Sequence, residues 1–166
     1  MRMSEQLTLV NRFMDRAPVD VETLALALGA PVHRAYLDAD VSGMLERTKS
    51  GFRIVVNAAH ASTRQRFTIA HEIGHFLFHR HLIGDGIDDD RAYRSTSAGR
   101  YKNMSIGPAQ ETEANKFAAA VLMPRKLIDE ARAAGANSPA QLAKKLGVSE
   151  HAMCIRLGEP YEDRML

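Results

Sequence analysis

The sequence predicts an α+β fold in which a small, mostly antiparallel sheet precedes a long helix, and further helices make up the C-terminal third. Three observations support this prediction. Residues 52–57 are rich in β-branched side chains and follow the turn residues 49–51. Residues 62–80 carry apolar side chains at helical spacing. After residue 123, the predicted helices begin at proline or serine, and two of them end at glycine.

The N-terminal part supplies two short helices and the sheet. Residues 4–15 predict a short helix. Residues 21–28 predict a second helix, which Asp20 caps at its start and Gly29 ends. Residues 31–37 and 41–46 predict short strands, and residues 52–57 predict the clearest strand. We therefore expect the sheet to lie directly before helix 62–80.

Composition limits the class of protein. The chain has 166 residues, of which 45% are hydrophobic and 25% charged, as in ordinary globular domains. Its formal net charge of +2 gives no strong attraction for polyanions. The single cysteine, Cys154, excludes an internal disulfide and predicts a buried, inert thiol. Because no apolar run has the length of a signal peptide or a membrane span, we expect a cytoplasmic protein with no membrane partner.

The most informative motif is His-Glu-Ile-Gly-His at residues 71–75. On a helix, His71 and His75 lie four residues apart on one face, so both imidazoles can bind one Zn²⁺. Glu72 follows the first histidine and can act as a general base on a metal-associated water. Ile69, Ile73 and Phe76 form the apolar stripe of the same helix, which Ser62 or Thr63 can cap.

A zinc site of this kind needs a third protein ligand, and the predicted helix that starts near residue 109 offers two glutamates. Glu111 lies on its buried apolar stripe, where a carboxylate is costly unless it is paired or binds a metal. Glu113 lies about 200° around the helix, where it can pair with Lys116 on a more exposed side. Glu111 is therefore the predicted ligand. Asn115, four residues after Glu111, is predicted to hydrogen-bond a ligating histidine.

Two motifs together resemble the ImmA/IrrE family of metallo-endopeptidases. They are His-Glu-Ile-Gly-His at 71–75 and the pattern E-x-x-A-N-x-F-A-A-x-x-L-M-P at 111–124. The resemblance covers about residues 19–157. It also extends to the gluzincin arrangement, in which the first glutamate of a second helix is the third ligand. The resemblance implies that helix 62–80 is a zincin-type active-site helix packed on the sheet. It further implies a substrate: a partner helix-turn-helix repressor of a stress, mobile-element or toxin–antitoxin-type system.

The predicted function is a zinc-dependent endopeptidase. His71, His75 and Glu111 are the expected ligands, Glu72 is the expected catalytic base, and Mn²⁺ or Fe²⁺ can replace zinc at such a donor set. Two other functions remain open. One is a non-catalytic regulator that binds DNA or a repressor. The other is a metal-dependent hydrolase of a non-peptide substrate.

The C-terminal residues 142–157 have the spacing of a helix-turn-helix. We therefore expect a peptidase core over residues 1–135 and a helix-turn-helix-like segment over residues 136–166, packed on that core. From residue 139 onward, four cationic side chains stand against four carboxylates, whereas a DNA-binding surface should be basic. DNA binding is thus open but not favoured, and a structural or partner-docking role is preferred.

Residues 84–108 predict a long irregular segment that borders the cleft. Tyr93 or Tyr101 is its candidate hydrogen-bond donor to an oxyanion, although an exposed loop tyrosine is the preferred interpretation of both. His79 continues the four-residue spacing of His71 and His75, but it lies too far along the helix axis to join both as a ligand. We interpret it as a histidine that packs at the edge of the cleft.

Overall fold

The computed structural model describes residues 1–83, 94–95 and 103–161 of the chain. The elements in chain order are α1 (Met3–Phe13), α2 (Val21–Leu28), β1 (Val32–Ala35), β2 (Gly43–Thr48), β3 (Gly51–Asn57), α3 (Ser62–Phe78), a 3-10 turn (Arg80–Leu82), β4 (Arg94–Ser95), α4 (Pro108–Leu122), α5 (Arg125–Ala133), α6 (Pro139–Leu146) and α7 (Glu150–Leu157). The predicted α+β class is therefore confirmed. Tyr93 and Tyr101 lie outside the described residues, as does most of the predicted irregular segment.

The sheet is mixed, with strand order β1-β3-β2-β4. β2 and β3 pair antiparallel because the two-residue turn at Lys49 and Ser50 reverses the chain between them. β4 also pairs antiparallel with β2. β1 pairs parallel with β3, with Val32 opposite Ile54. The prediction of a mostly antiparallel sheet thus describes two of the three strand pairs, and the parallel pair was not anticipated.

Helix α3 packs on one face of this sheet. Ile69 and Ile73 of α3 are buried in the same hydrophobic cluster as Leu45 of β2 and Ile54 of β3. The predicted capping of α3 by Ser62 or Thr63 is wrong. Ala61 is the N-cap residue and makes no side-chain capping bond, because Ser62 already lies within the helix.

Three other helices start at their predicted capping residues. Asp20 caps α2 by accepting a hydrogen bond from the Thr23 amide, and Gly29 ends that helix with a left-handed φ of 95°. Ser138 and Ser149 cap α6 and α7 in the same manner. The residues 147–149 form the short turn between α6 and α7.

The C-terminal helices share the core of the rest of the chain. Leu142 and Leu146 of α6 and Met153 of α7 belong to the cluster that contains Ile73. Cys154 is buried, as predicted. The division of the chain at residue 135 remains a prediction. No helix in the described part of the chain is long and apolar enough to cross a membrane.

Candidate metal centre

Helices α3 and α4 approach each other closely at Gly74. A β-carbon added at Gly74 would lie 3.2 Å from the Cα of Ala114 and 3.2 Å from the Cδ1 of Phe117. Distances this short mean that a larger side chain at residue 74 would push the two helices apart. Glycine between the two motif histidines therefore lets α4 bring its first turn against α3.

The close approach places Glu111 against both motif histidines. The Nε2 atom of His75 lies 2.8 Å from Oε1 of Glu111, and the Nε2 atom of His71 lies 3.4 Å from Oε2 of the same carboxylate. One donor atom from each of the three residues lies within 4.8 Å of the other two, so the group can hold a metal ion. Two imidazole nitrogens and one carboxylate also match the donor set of hydrolytic zinc sites.

The far side of each imidazole is held by a hydrogen bond. Nδ1 of His71 lies 2.7 Å from Oδ1 of Asn115. An amide oxygen only accepts hydrogen bonds, so the proton of a neutral His71 resides on Nδ1. The lone pair of Nε2 is then directed at Glu111 and is available to a metal.

His75 is held by a two-step chain of hydrogen bonds. Its Nδ1 lies 2.9 Å from Nδ1 of His79, and Nε2 of His79 lies 3.3 Å from Oε2 of Glu113. A carboxylate only accepts, so His79 donates from Nε2 and, when neutral, accepts at Nδ1. His75 must then donate from Nδ1, which leaves its Nε2 free of a proton. Glu113 thereby sets the tautomer of His75 through His79.

The charges of the site favour a bound cation. Burial alone would raise the pKa of Glu111, but the hydrogen bonds and positive charges that His71 and His75 supply when protonated at Nε2 hold it far below its ordinary value. A metal ion would take the place of these protons. Burial lowers the pKa of His71, yet the hydrogen bond to Glu111 and the charge of Glu72 leave it above its ordinary value. Glu111 is thus a carboxylate at neutral pH, which is the form that binds a metal ion. The residues present fit a divalent metal.

Each residue predicted for the site can now be placed. His75 is buried, while His71 and Glu111 are partly exposed. Glu72 is buried, at 3% exposure, and lies near enough to His71 to raise its pKa. Asn115 hydrogen-bonds His71.

Two residues take positions that the sequence analysis did not anticipate. Glu113 contacts His79 rather than Lys116, because its side of α4 faces the C-terminal end of α3. His79 is buried at 4% exposure and hydrogen-bonds His75, so it is more than a packing residue at the edge of the cleft. The signal was present in the sequence as three histidines at four-residue spacing on one helix, but only the arrangement of the helices shows what the third one contacts.

The fold and this cluster define an α+β chain with the donor set of an H-E-x-x-H metal centre. Residues 19–158 match the model of the Peptidase M78 family, described as the IrrE N-terminal-like domain. The chain therefore belongs to this family, whose metalloprotease members imply a metal ion. This result confirms the family suggested by the two motifs.

Two curated relatives are similar over 109 residues, which is 64% of this chain. Both carry the name radiation response metalloprotease IrrE. The protein from Deinococcus radiodurans is 37% identical, and the match spans 30% of its length. The protein from Deinococcus deserti is 36% identical, and the match spans 36% of its length. The matched region is thus about a third of the length of these relatives.

The fold also occurs among solved structures. A protein described as a Mycobacterium tuberculosis transcriptional regulator aligns with 98% of this chain and 48% of its own, at a TM-score of 0.59 and 17% identity. At this identity the likeness concerns the fold alone.

Proposed function

We propose that the chain is a zinc-dependent endopeptidase whose metal ligands are His71, His75 and Glu111. The main observation behind the proposal is that the Nε2 atoms of His71 and His75 lie next to the ionised carboxylate of Glu111, with Glu72 buried nearby. Zinc is the proposed metal because two histidines and one glutamate are the ligands of thermolysin-type hydrolytic sites. The proposal also assigns α3 as the active-site helix of a zincin-type peptidase.

The chemistry divides between the metal and the protein. When bound, zinc would polarise a peptide carbonyl and lower the pKa of a water molecule. The carboxylate of Glu72 accepts the proton of the attacking water and then delivers it to the amide nitrogen as the C–N bond breaks. Asn115 and His79 keep the Nε2 atoms of His71 and His75 directed at the metal.

The proposed substrate is a partner protein, namely a helix-turn-helix transcriptional repressor in a stress, mobile-element or toxin–antitoxin-type system. Family membership supports a protein substrate, and the relatives named above are radiation response metalloproteases. The proposal treats α6 and α7 as a helix-turn-helix-like segment that serves partner docking, with residues 1–135 as the peptidase core. The balanced charge of the C-terminal segment supports docking of a protein in preference to DNA.

If a neighbouring reading frame encodes a helix-turn-helix repressor, co-expression with that repressor tests the proposal. We expect the zinc-loaded wild-type chain to cleave the repressor, and Glu72→Gln to bind zinc equally while cleaving about 10²- to 10⁴-fold more slowly, because general-base catalysis is lost. Glu130→Gln is the matched control, since Glu130 is an exposed glutamate on α5. Undiminished proteolysis by Glu72→Gln would refute the assigned role of Glu72.

A further inference from the structure

A groove with a volume of about 790 Å³ lies between α3, α4 and α7. We call it the α3–α4–α7 groove. Its apolar wall includes Phe67 of α3, Ala119 of α4 and Ile155 of α7. Ile155 is 70% exposed, so the end of this wall is open to solvent. A groove of this size accommodates several side chains of a bound chain.

Among the residues that the structure describes, the charged side chains that line the groove are Arg64, Lys116 and Arg156, and none of these lining residues is a carboxylate. Arg64 donates to the hydroxyl of Ser42 at 3.0 Å, and Arg156 donates to the carbonyl of Met123 at 3.1 Å. Both acceptors are neutral. Among the residues that the structure describes, none of the three cations forms an ion pair, so their charge remains available to an acidic ligand.

The groove borders the candidate metal centre on the Nδ1 side of His71. Asn115 lines the groove, and its Oδ1 accepts the hydrogen bond from His71. Thr112, which follows Glu111 in the chain, lines it as well. The side chain of Asn115 therefore links a peptide held in the groove to the proposed ligand His71.

We propose that the α3–α4–α7 groove is the substrate-recognition site, and that it binds a segment of the substrate with large apolar side chains flanked by aspartate or glutamate. The inference rests on the proposed endopeptidase function and adds the chemistry of the recognised segment. A protein segment is favoured over nucleic acid because the groove has an apolar wall as well as cations. Apolar side chains can pack on such a wall, whereas nucleic-acid phosphates cannot use it.

The test uses a phage-displayed library of random dodecapeptides, selected against the zinc-loaded 166-residue chain that carries Glu72→Gln. We expect enrichment of aspartate and glutamate together with leucine, isoleucine or phenylalanine. A fluorescent copy of a selected peptide should bind at least tenfold more weakly to Ile155→Asp. The control is Leu26→Asp on α2, which changes a residue of similar size at 64% exposure and should leave peptide binding unchanged. Lys116→Glu should shift the selection toward lysine and arginine, with Lys145→Glu on α6 as its control.

Several results would overturn the inference. They are selection without acidic bias, equal binding to Ile155→Asp, and displacement of the peptide by random duplex DNA. A dimer that Ile155→Asp converts to a monomer would assign the groove to a second copy.

The proposed endopeptidase function is tested separately, by incubating the selected peptide with the zinc-loaded wild-type chain and measuring cleavage. Binding with acidic preference but no cleavage of any peptide or protein would support the groove and count against the endopeptidase. Cleavage without charge preference would support the endopeptidase and count against the groove.

Discussion

The affinity for zinc should depend on the hydrogen bonds made by the Nδ1 atoms of the two ligand histidines, His71 and His75. Asn115→Ala removes the acceptor of the 2.7 Å hydrogen bond from His71 Nδ1. His79→Phe removes the acceptor for His75 Nδ1, and Glu113→Ala removes only the more distant end of that chain at 3.3 Å. Loss of such supporting groups typically weakens metal binding by about 10- to 100-fold, which is about 1.4 to 2.7 kcal/mol.

The exposure of each supporting residue orders the three effects. Asn115 lies at the surface, where water can replace its amide, so we expect a loss of about tenfold. His79 is 4% exposed and water cannot easily replace it, so we expect a loss of about 100-fold. The side chain of Glu113 is 56% exposed, and we expect a change of less than about tenfold.

The assay is competition for zinc with a chromophoric chelator at neutral pH, with the fold of each metal-free variant checked by circular dichroism. Glu130→Ala is the control for Glu113→Ala, because its side chain is 57% exposed and lies on α5. Wild-type zinc affinity in both Asn115→Ala and His79→Phe would refute the reasoning. So would a larger loss in Glu113→Ala than in His79→Phe.

Three further predictions concern stability. Zinc at about 100 times its dissociation constant should raise the free energy of unfolding by about 2.7 kcal/mol. In thermal melts, Glu111→Ala should abolish most of this gain. An equal gain in Glu111→Ala would contradict the proposed ligand set. Gly74→Val should destabilise the chain by about 1 to 3 kcal/mol in urea because it forces α3 from α4, whereas Ala120→Val on the exposed side of α4 should cost less than about 1 kcal/mol. Asp20→Ala should cost about 1 kcal/mol at pH 7, because Asp20 caps α2. The hydrogen bond from Thr23 lowers the pKa of Asp20 in the folded chain. The stability that Asp20 contributes is therefore present above its unfolded pKa of about 3.9 and disappears as the pH falls through its folded pKa. A stability difference between wild type and Asp20→Ala that persists in acid would contradict this expectation.

Local signals account for most of the secondary structure that was predicted correctly. Helix α2 begins and ends at the predicted residues, because Asp20 and Gly29 act on backbone groups within one turn of themselves. The β2–β3 hairpin follows from a turn only two residues long. The parallel pairing of β1 with β3 has no local cause, since it depends on how the chain between β1 and β2 crosses the sheet.

In the candidate site, too, some features follow from local sequence and others depend on tertiary contacts. Helical periodicity alone distinguishes Glu111 from Glu113, because the two glutamates face different sides of α4. The role of Glu113 needs the three-dimensional contact between α4 and the end of α3, where it meets His79. The α3–α4–α7 groove likewise joins residues that are more than 80 positions apart, from Phe67 to Ile155.

The sequence by itself determined the H-E-x-x-H helix, the face that carries Glu111, and the resemblance to a metallopeptidase family. These depend on spacing within a single helix or on motif identity, which the chain carries before it folds. Only the tertiary structure decided that α4 packs against Gly74 so closely that an added β-carbon would lie 3.2 Å from Ala114. It also decided that His79 and Glu113 hold His75, and that an apolar groove with cationic side chains reaches Asn115 beside His71. The physical reason is that hydrogen bonds and packing between helices depend on distances that no local periodicity specifies.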